Sequence, residues 1–311
     1  MTKAFILGIA ASFFFAFTFI LNQQINISGG SWLWSSSLRY IFMLPILLII
    51  IIIKNQLLDV LNDIAKKPIQ WITWSTIGFG FFYAPLSFAS MYGSSWLVAG
   101  TWQLTIIAGA LISPLFFKNI ETENGICKIR NTIPKKSLLM SSIILIGIFI
   151  IQFEETRDIS LLEILLGVLP VILAAFSYPL GNRKMMEVCS NKFNTIQRVF
   201  GMTLCSMPFW TIISISGLLS VGLPSKEQII QSLIVAIFSG IIATILFFKA
   251  TDMVRNNTHK LAVIESTQSG EVIFTLLGGI FIFHDKSPTL IGLIGLIIVV
   301  IGMILNSLIK S

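Results

Sequence analysis

The chain has 311 residues, of which 55% are hydrophobic and only 11% charged, with a net charge of +7 and a strongly positive mean hydropathy. An ordinary soluble domain carries about 25% charge, so this composition excludes one and points to a polytopic membrane protein. The basic surplus forms no stripe with interleaved aromatics, which argues against nucleic acid as a partner; it lies between apolar runs, where topology accounts for it.

A membrane helix needs about 20 apolar residues. Ten segments meet that requirement, predicted near 4–22, 31–53, 70–91, 95–117, 137–153, 161–181, 195–217, 229–250, 260–283 and 288–309. The first follows Lys3, is too long for the core of a signal peptide, and meets Asn22-Gln23-Gln24 where a cleavage site would need small residues, so it reads as a retained helix. Lysine and arginine concentrate in short cytoplasmic loops. With the N-terminus inside, 17 of the 21 basic residues fall in cytoplasmic loops or at cytoplasmic span ends, only Arg157, Lys226 and Lys286 fall outside, and Arg39 lies well inside a span. Both termini of this multi-pass chain are therefore expected on the cytoplasmic side of the cell membrane, with the lipid bilayer as its solvent. Trp32, Trp34 and Trp96 at outer helix ends and Trp71 and Trp74 at an inner one fit an interfacial belt, whereas Trp102 and Trp210 sit deeper, as helix packing or pocket wall.

The three cysteines, Cys127, Cys189 and Cys205, are widely spaced and have no histidine nearby in sequence, so no zinc site or redox pair is expected and no cofactor is implied.

An internal repeat comes next. Ala16-Phe17-Thr18-Phe19-Ile20-Leu21 aligns with Ala175-Phe176-Ser177-Tyr178-Pro179-Leu180, and at the same offset of 159 residues Gly8 meets Gly167 and Arg39 meets Arg198. Five helices per copy is an odd number, so the second copy enters the membrane from the opposite face. The fold class is thus an all-α membrane protein of ten transmembrane helices in two inverted five-helix repeats, 1–158 and 159–311, an arrangement that puts a transporter's site between the halves near the midplane.

At these residues the sequence resembles the drug/metabolite transporter superfamily, its ten-helix EamA-like members and their multidrug-resistance-efflux-like branch. Each half opens on a glycine and a small-aromatic block, Gly8 to Leu21 and Gly167 to Leu180, and an arginine lies early in each second helix, Arg39-Tyr40 and Arg198-Val199. Ser269-Gly270-Glu271-Val272-Ile273-Phe274, running to His284-Asp285, is similar to the family's penultimate-helix pattern, in which a Glu-Pro pair is followed by an acidic residue at the helix exit; here Val272 replaces the proline and Asp285 the usual glutamate. The resemblance implies export of small organic solutes, metabolites or drugs across the cytoplasmic membrane, and leaves a homodimer open. The four-helix small multidrug-resistance relatives carry an essential acid in their first helix; this first helix has none, so that residue does not carry over.

The stretch Lys260 to Phe283 carries the candidate site. Glu265 and Glu271 are the acids set well inside a hydrophobic span, and a charge at a helix centre costs roughly 2.5–3.5 kcal/mol on insertion scales. Glu265, Gln268 and Ser269 share one helix side, with Glu271 and Thr275 on its margin. Glu271 falls near mid-membrane at a depth similar to Arg39, and Glu265 nearer the cytoplasm. Glu271 is read either as an ion pair with Arg39 or as a carboxyl that exchanges protons or meets a cationic substrate; Glu265 either snorkels to water or takes part in transport. Trp102 and Gln103 of the fourth segment offer a flat wall and hydrogen bonding. Arg198 is expected to reach the cytoplasmic interface, and the Gly78 to Tyr83 run to serve helix packing.

These residues favour a secondary transporter of small molecules with protons as coupling ion. A P-loop is absent, so ATP is not the energy source within this chain. A polytopic membrane enzyme is the alternative, disfavoured because neither HExxH nor GxSxG is present, as are an uptake carrier for metabolites and, less well supported, a channel.

Overall fold

The computed structural model describes residues 1–92, 95–122, 125–155, 161–190, 192–283 and 289–308. The expected division near residue 158 and the His284-Asp285 pair lie outside them, as does the side chain of Trp96.

The described chain is mostly helical. It begins with α1 (Thr2–Ile27) and α2 (Trp32–Ile53), then a short α3 (Leu57–Lys66), and a broken column of α4 (Pro68–Ser75), a π-helical segment Thr76–Gly80 and α5 (Phe81–Ala89). A second broken column follows, α6 (Ser95–Trp102) and α7 (Leu104–Leu111). Beyond the hairpin come α8 (Lys135–Glu155), α9 (Leu161–Cys189) and α10 (Thr195–Val221). Then α11 (Lys226–Val235), a π-helical segment Ala236–Ala243 and α12 (Thr244–Asp252) form one column; α13 (Thr258–Ser266), a 3₁₀ turn Thr267–Ser269 and α14 (Gly270–Phe283) form another, before α15 (Leu290–Leu308). Among the described residues, five helical stretches are long and apolar enough to cross a bilayer, Thr2–Ile27, Trp32–Ile53, Leu165–Cys189, Thr195–Val221 and Lys226–Asp252, with shorter apolar helices at Val98–Leu111 and Leu290–Asn306. Side chains such as Leu219 (82% exposed) and Phe281 (76% exposed) point away from the bundle, where only lipid would receive them.

Three details depart from expectation. The predicted fourth span stops early: its α-helix ends at Leu111, a 3₁₀ turn Ser113–Leu115 containing Pro114 follows, and Phe117–Thr122 and Gly125–Arg130 then form an antiparallel hairpin that pairs Phe117 with Arg130. The sixth runs on to Cys189, which takes Arg183 out of the predicted loop and into a helix. And the tryptophan belt is partly internal: Trp71 is fully buried with its indole N–H donating to Asp63 Oδ2 at 3.1 Å, and Trp34 donates to the Gly222 carbonyl at 2.8 Å.

Two long helices organise the packing. α1 lies against the α11–α12 column and α14, while α9 lies against the α4–α5 column and against α6 and α7; α2 pairs with α10, and α8 with α15. The α9 contact is very close. A β-carbon on Gly181 would collide with the backbone of Gly78, while one on Gly78 would be only tight against Gly181, so it is Gly181 that must lack a side chain for the helices to meet.

Replacing Gly181 by Val should therefore lower stability by about 1–3 kcal/mol through overpacking. Gly80→Ala, which meets only the movable Phe209 ring, should cost less. Unfolding titrations in detergent compare the two; equal losses would show that the glycine contact does not fix the helix spacing.

Candidate functional site

Helix α13–α14 is broken where its polar residues cluster. Ser266, Thr267 and Ser269 each donate a hydroxyl to a carbonyl three residues back, at 2.8, 2.7 and 2.7 Å, tightening Thr267–Ser269 into a 3₁₀ turn. The loss of proline at Val272 therefore does not leave this helix regular. A similar interruption separates α6 from α7 at Gln103, whose side-chain amide turns back onto the Ala99 carbonyl at 3.0 Å.

Glu271 sits just beyond the break, 1% exposed. It borders a small cavity with Gln268, Trp102, Phe15, Thr18, Phe82 and Tyr178, drawn from α1, α5, α6, α9 and α14. Trp102 lines the cavity beside the Glu271 carboxylate, whose Oε2 is buried with no hydrogen-bond partner among the described residues. So are Gln268 Oε1, the Tyr178 hydroxyl and Thr275 Oγ1. Leaving such groups unmatched costs about 1–3 kcal/mol each. The walls are aromatic: Phe82 packs on Trp102 at 5.0 Å and on Tyr178 at 4.6 Å between ring centres. The free space is about 10 Å³, roughly what one water needs. The cavity is closed around its acid.

Arg39 does not pair with Glu271. Its guanidinium lies 4.0 Å from the Tyr83 ring centre and donates to Thr18 Oγ1 at 3.3 Å, and Thr18 in turn shares a short hydrogen bond of 2.5 Å with Ser239. Thr18 also lines the cavity, so Arg39 touches it through one hydroxyl. Arg198, its counterpart in the sequence repeat, is buried rather than interfacial; it donates to Asp252 Oδ1 at 2.6 Å and lies 4.8 Å from the Phe248 ring centre.

Glu265 does not snorkel to water. It is buried in a bidentate ion pair with Arg183, whose Nη2 donates to Oε2 at 2.7 Å and Oε1 at 2.8 Å and whose Nε donates to Oε1 at 3.1 Å. Arg183 Nη1 also donates to Ser113 Oγ at 3.2 Å, so the pair ties α9 and α13 to the end of the α6–α7 column. A β-carbon at Gly109 would strike the Glu265 carboxylate, which is why the space must be open there. At the opposite end of the bundle, Asn26 Nδ2 donates to the Ser90 carbonyl at 2.6 Å, Ser95 N to Gln23 Oε1 at 3.1 Å, and Gln228 Nε2 to the Ser31 carbonyl at 2.6 Å.

Of the six candidates, Glu271, Gln268 and Trp102 meet at the cavity; Arg39, Glu265 and Gln103 do not line it. Sequence reasoning passed over Arg183, Phe82 and Phe15, and it used Tyr178 and Thr18 only to align the repeat. Their one sequence signal was that alignment, where Thr18 falls opposite Ser177, beside Tyr178.

A helical bundle with a lipid-facing exterior and a closed, acid-bearing cavity is a multi-pass membrane protein. The chain belongs to the EmrE family: a family model described as "Putative multidrug resistance efflux transporter" matches residues 2–311. That is a family of transporters, not of enzymes. Similar proteins include the "Uncharacterized protein YjlA" of Bacillus subtilis (strain 168), 53% identical over 98% of this chain and 94% of that one. Another is an "Uncharacterized 42.1 kDa protein in intracellular alkaline protease 3'region" of Shouchella clausii, 49% identical over 86% of this chain and 70% of that one. A solved structure carrying only the description "Crystal structure of protein" shares the fold with a TM-score of 0.72 over 99% of this chain and 97% of its own, at 10% identity.

Removing one partner of a buried ion pair costs about 3–5 kcal/mol, whereas replacing both by apolar groups is often neutral. Arg183→Met and Glu265→Leu alone should each destabilise by that amount, and the double variant by less than either. A double-mutant cycle on unfolding free energy measures this; additive losses would mean that the two side chains do not depend on each other.

Proposed function

We propose that this protein is a secondary transporter that moves small organic solutes across the cytoplasmic membrane, with Glu271 as the carboxyl that exchanges a proton for a solute. One observation carries the reading. Glu271 is a desolvated acid with an unmatched oxygen, in an aromatic-walled cavity built from elements of both sequence halves. Aromatic faces attract cations, and a cation desolvated at such a site gains about 2 kcal/mol from them. A solute with a cationic or aromatic group suits the walls, and its charge replaces the proton on Glu271. Export is the direction that the family favours.

The ten-span, inverted-repeat reading, with both termini cytoplasmic, is part of this proposal, and several features support it. The contacts of α1 and α9 exchange roles, α1 with the α11–α12 column and α9 with the α4–α5 column, as a two-fold axis in the membrane would require. Each of those columns carries a π-helical segment, Thr76–Gly80 and Ala236–Ala243. The two broken helices are interrupted next to a glutamine, Gln103 and Gln268. Arg39 over Tyr83 is matched by Arg198 over Phe248.

On this reading the conformation is occluded. The Arg183–Glu265 pair separates the cavity from the cytoplasmic side, and the Asn26, Gln23 and Gln228 hydrogen bonds separate it from the outside. Along α13–α14, Glu265 and Glu271 are six residues apart, about 9 Å in rise, which leaves the ion pair as the cytoplasmic closure.

In proteoliposomes with an imposed proton gradient, ethidium flux should be lost in Glu271→Gln and reduced in Trp102→Ala, since each proton exchange requires the carboxyl. If Glu271→Gln transports as the parent protein does, with the same pH dependence, Glu271 is not the coupling residue.

A further inference from the structure

A second cavity, of about 190 Å³, opens at the end of the bundle where α9 finishes and α13 begins. Its floor and walls include Phe116, Met186 and Leu261, which are apolar, and its rim carries Asn131, Asn256 and Thr258. Three ions line it. Arg183 is held by Glu265, and Glu187 is paired with Lys184 at 2.9 Å. Arg255, half-buried on the same lining, has neither an ion pair nor a hydrogen bond among the described residues. Among the described residues, the lining therefore holds one positive charge without an ion-pair partner, beside amide and hydroxyl donors and above an apolar floor.

We propose that this vestibule is a binding site for a small organic anion, a carboxylate or phosphate on an aromatic or aliphatic body, with Arg255 as its principal partner. A guanidinium presents a planar fork of donors that matches the two oxygens of a carboxylate. Asn131, Asn256 and Thr258 supply further donors at the rim, and Phe116, Met186 and Leu261 receive the body. The site needs nothing from the Glu271 cavity, so it stands apart from the transport mechanism. Where that mechanism also holds, the anion arrives beside Arg183 and competes with Glu265 for its guanidinium, exchanging one carboxylate for another. A solute that satisfies both sites carries an anion for Arg255 and Arg183 and a cationic or aromatic group for Glu271. The transported class is then amphoteric. That last step rests on the transport reading above.

The same anion chemistry could come from a lipid headgroup, and the test separates the two sources. Purified full-length protein in phosphatidylcholine nanodiscs is titrated with benzoate by calorimetry. Saturable binding is expected, weakened at least about tenfold by Arg255→Gln, the loss of one good charged contact, and partly retained by Arg255→Lys. Thermal unfolding of each variant checks that it is folded. Glu271→Gln should leave benzoate binding intact while weakening ethidium binding. If phosphatidylglycerol in the discs abolishes benzoate binding, a lipid phosphate occupies the site and the anion chemistry is upheld. Benzoate binding that is absent, or equal in the parent and a folded Arg255→Gln, overturns the proposal. Ethidium binding or flux that ignores Glu271 while benzoate still needs Arg255 removes the transport reading and leaves the anion site.

Discussion

Charge removed from water must be matched, and the interior of this bundle is organised by four different ways of doing so. Glu265 is matched fully, by two nitrogens of Arg183. Arg198 is matched by Asp252 and the face of Phe248. Arg39 relies on the Tyr83 ring and one hydroxyl and has no carboxylate; among the described residues its Nε lacks a hydrogen-bond partner, as do Nε and Nη2 of Arg198. Glu271 has no ion pair and no hydrogen bond to Oε2 among the described residues, only the aromatic walls of its cavity. Because an unmatched buried ion is costly, this ranking also orders the residues by how much each gains when something new enters. Glu271 stands first.

The same ranking separates structural from mobile parts. A bidentate pair tied to Ser113 joins three helical elements and resists partial disruption, since losing one contact leaves the others in poor geometry. The aromatic cluster around Glu271 behaves differently, because rings can slide and re-stack at little cost while hydrogen-bond geometry cannot follow. On the transport proposal, a rigid ion pair beside an aromatic-walled pocket is a combination suited to handling solutes of varied shape.

How much of this could be read in the sequence depends on which interactions are local. Glu271, Gln268 and Trp102 stood out because each is a polar or deep aromatic residue inside an apolar run, and the cost of burial marks it without reference to any partner. The helical character was legible for the same reason. Arg183 was not, because a basic residue close to a helix end looks identical whether it faces water or a buried glutamate 82 positions away. Counting it as topological charge was sound as statistics and blind to the pairing. Arg198 failed likewise, its partner Asp252 lying on another helix. The hairpin at Phe117 was hidden because Phe117-Lys118-Asn119-Ile120-Glu121-Thr122 does not alternate apolar and polar residues, so no period-two pattern marks a strand in that charged stretch.

The interrupted helices show what replaces an absent sequence signal. The family's Glu-Pro pair would break the backbone ladder by removing a donor, but Val272 keeps its N–H. Instead, the hydroxyls of Ser266, Thr267 and Ser269 occupy carbonyls on the preceding turn, and the helix tightens at Thr267–Ser269, just before Glu271. A hydroxyl bond is reversible where a proline is permanent. The buried oxygens of Glu271 and Gln268, unpartnered among the described residues, lie within one turn of each other at this place. The irregularity and the unmatched acid belong together: the backbone yields at the place where the side chains lack partners.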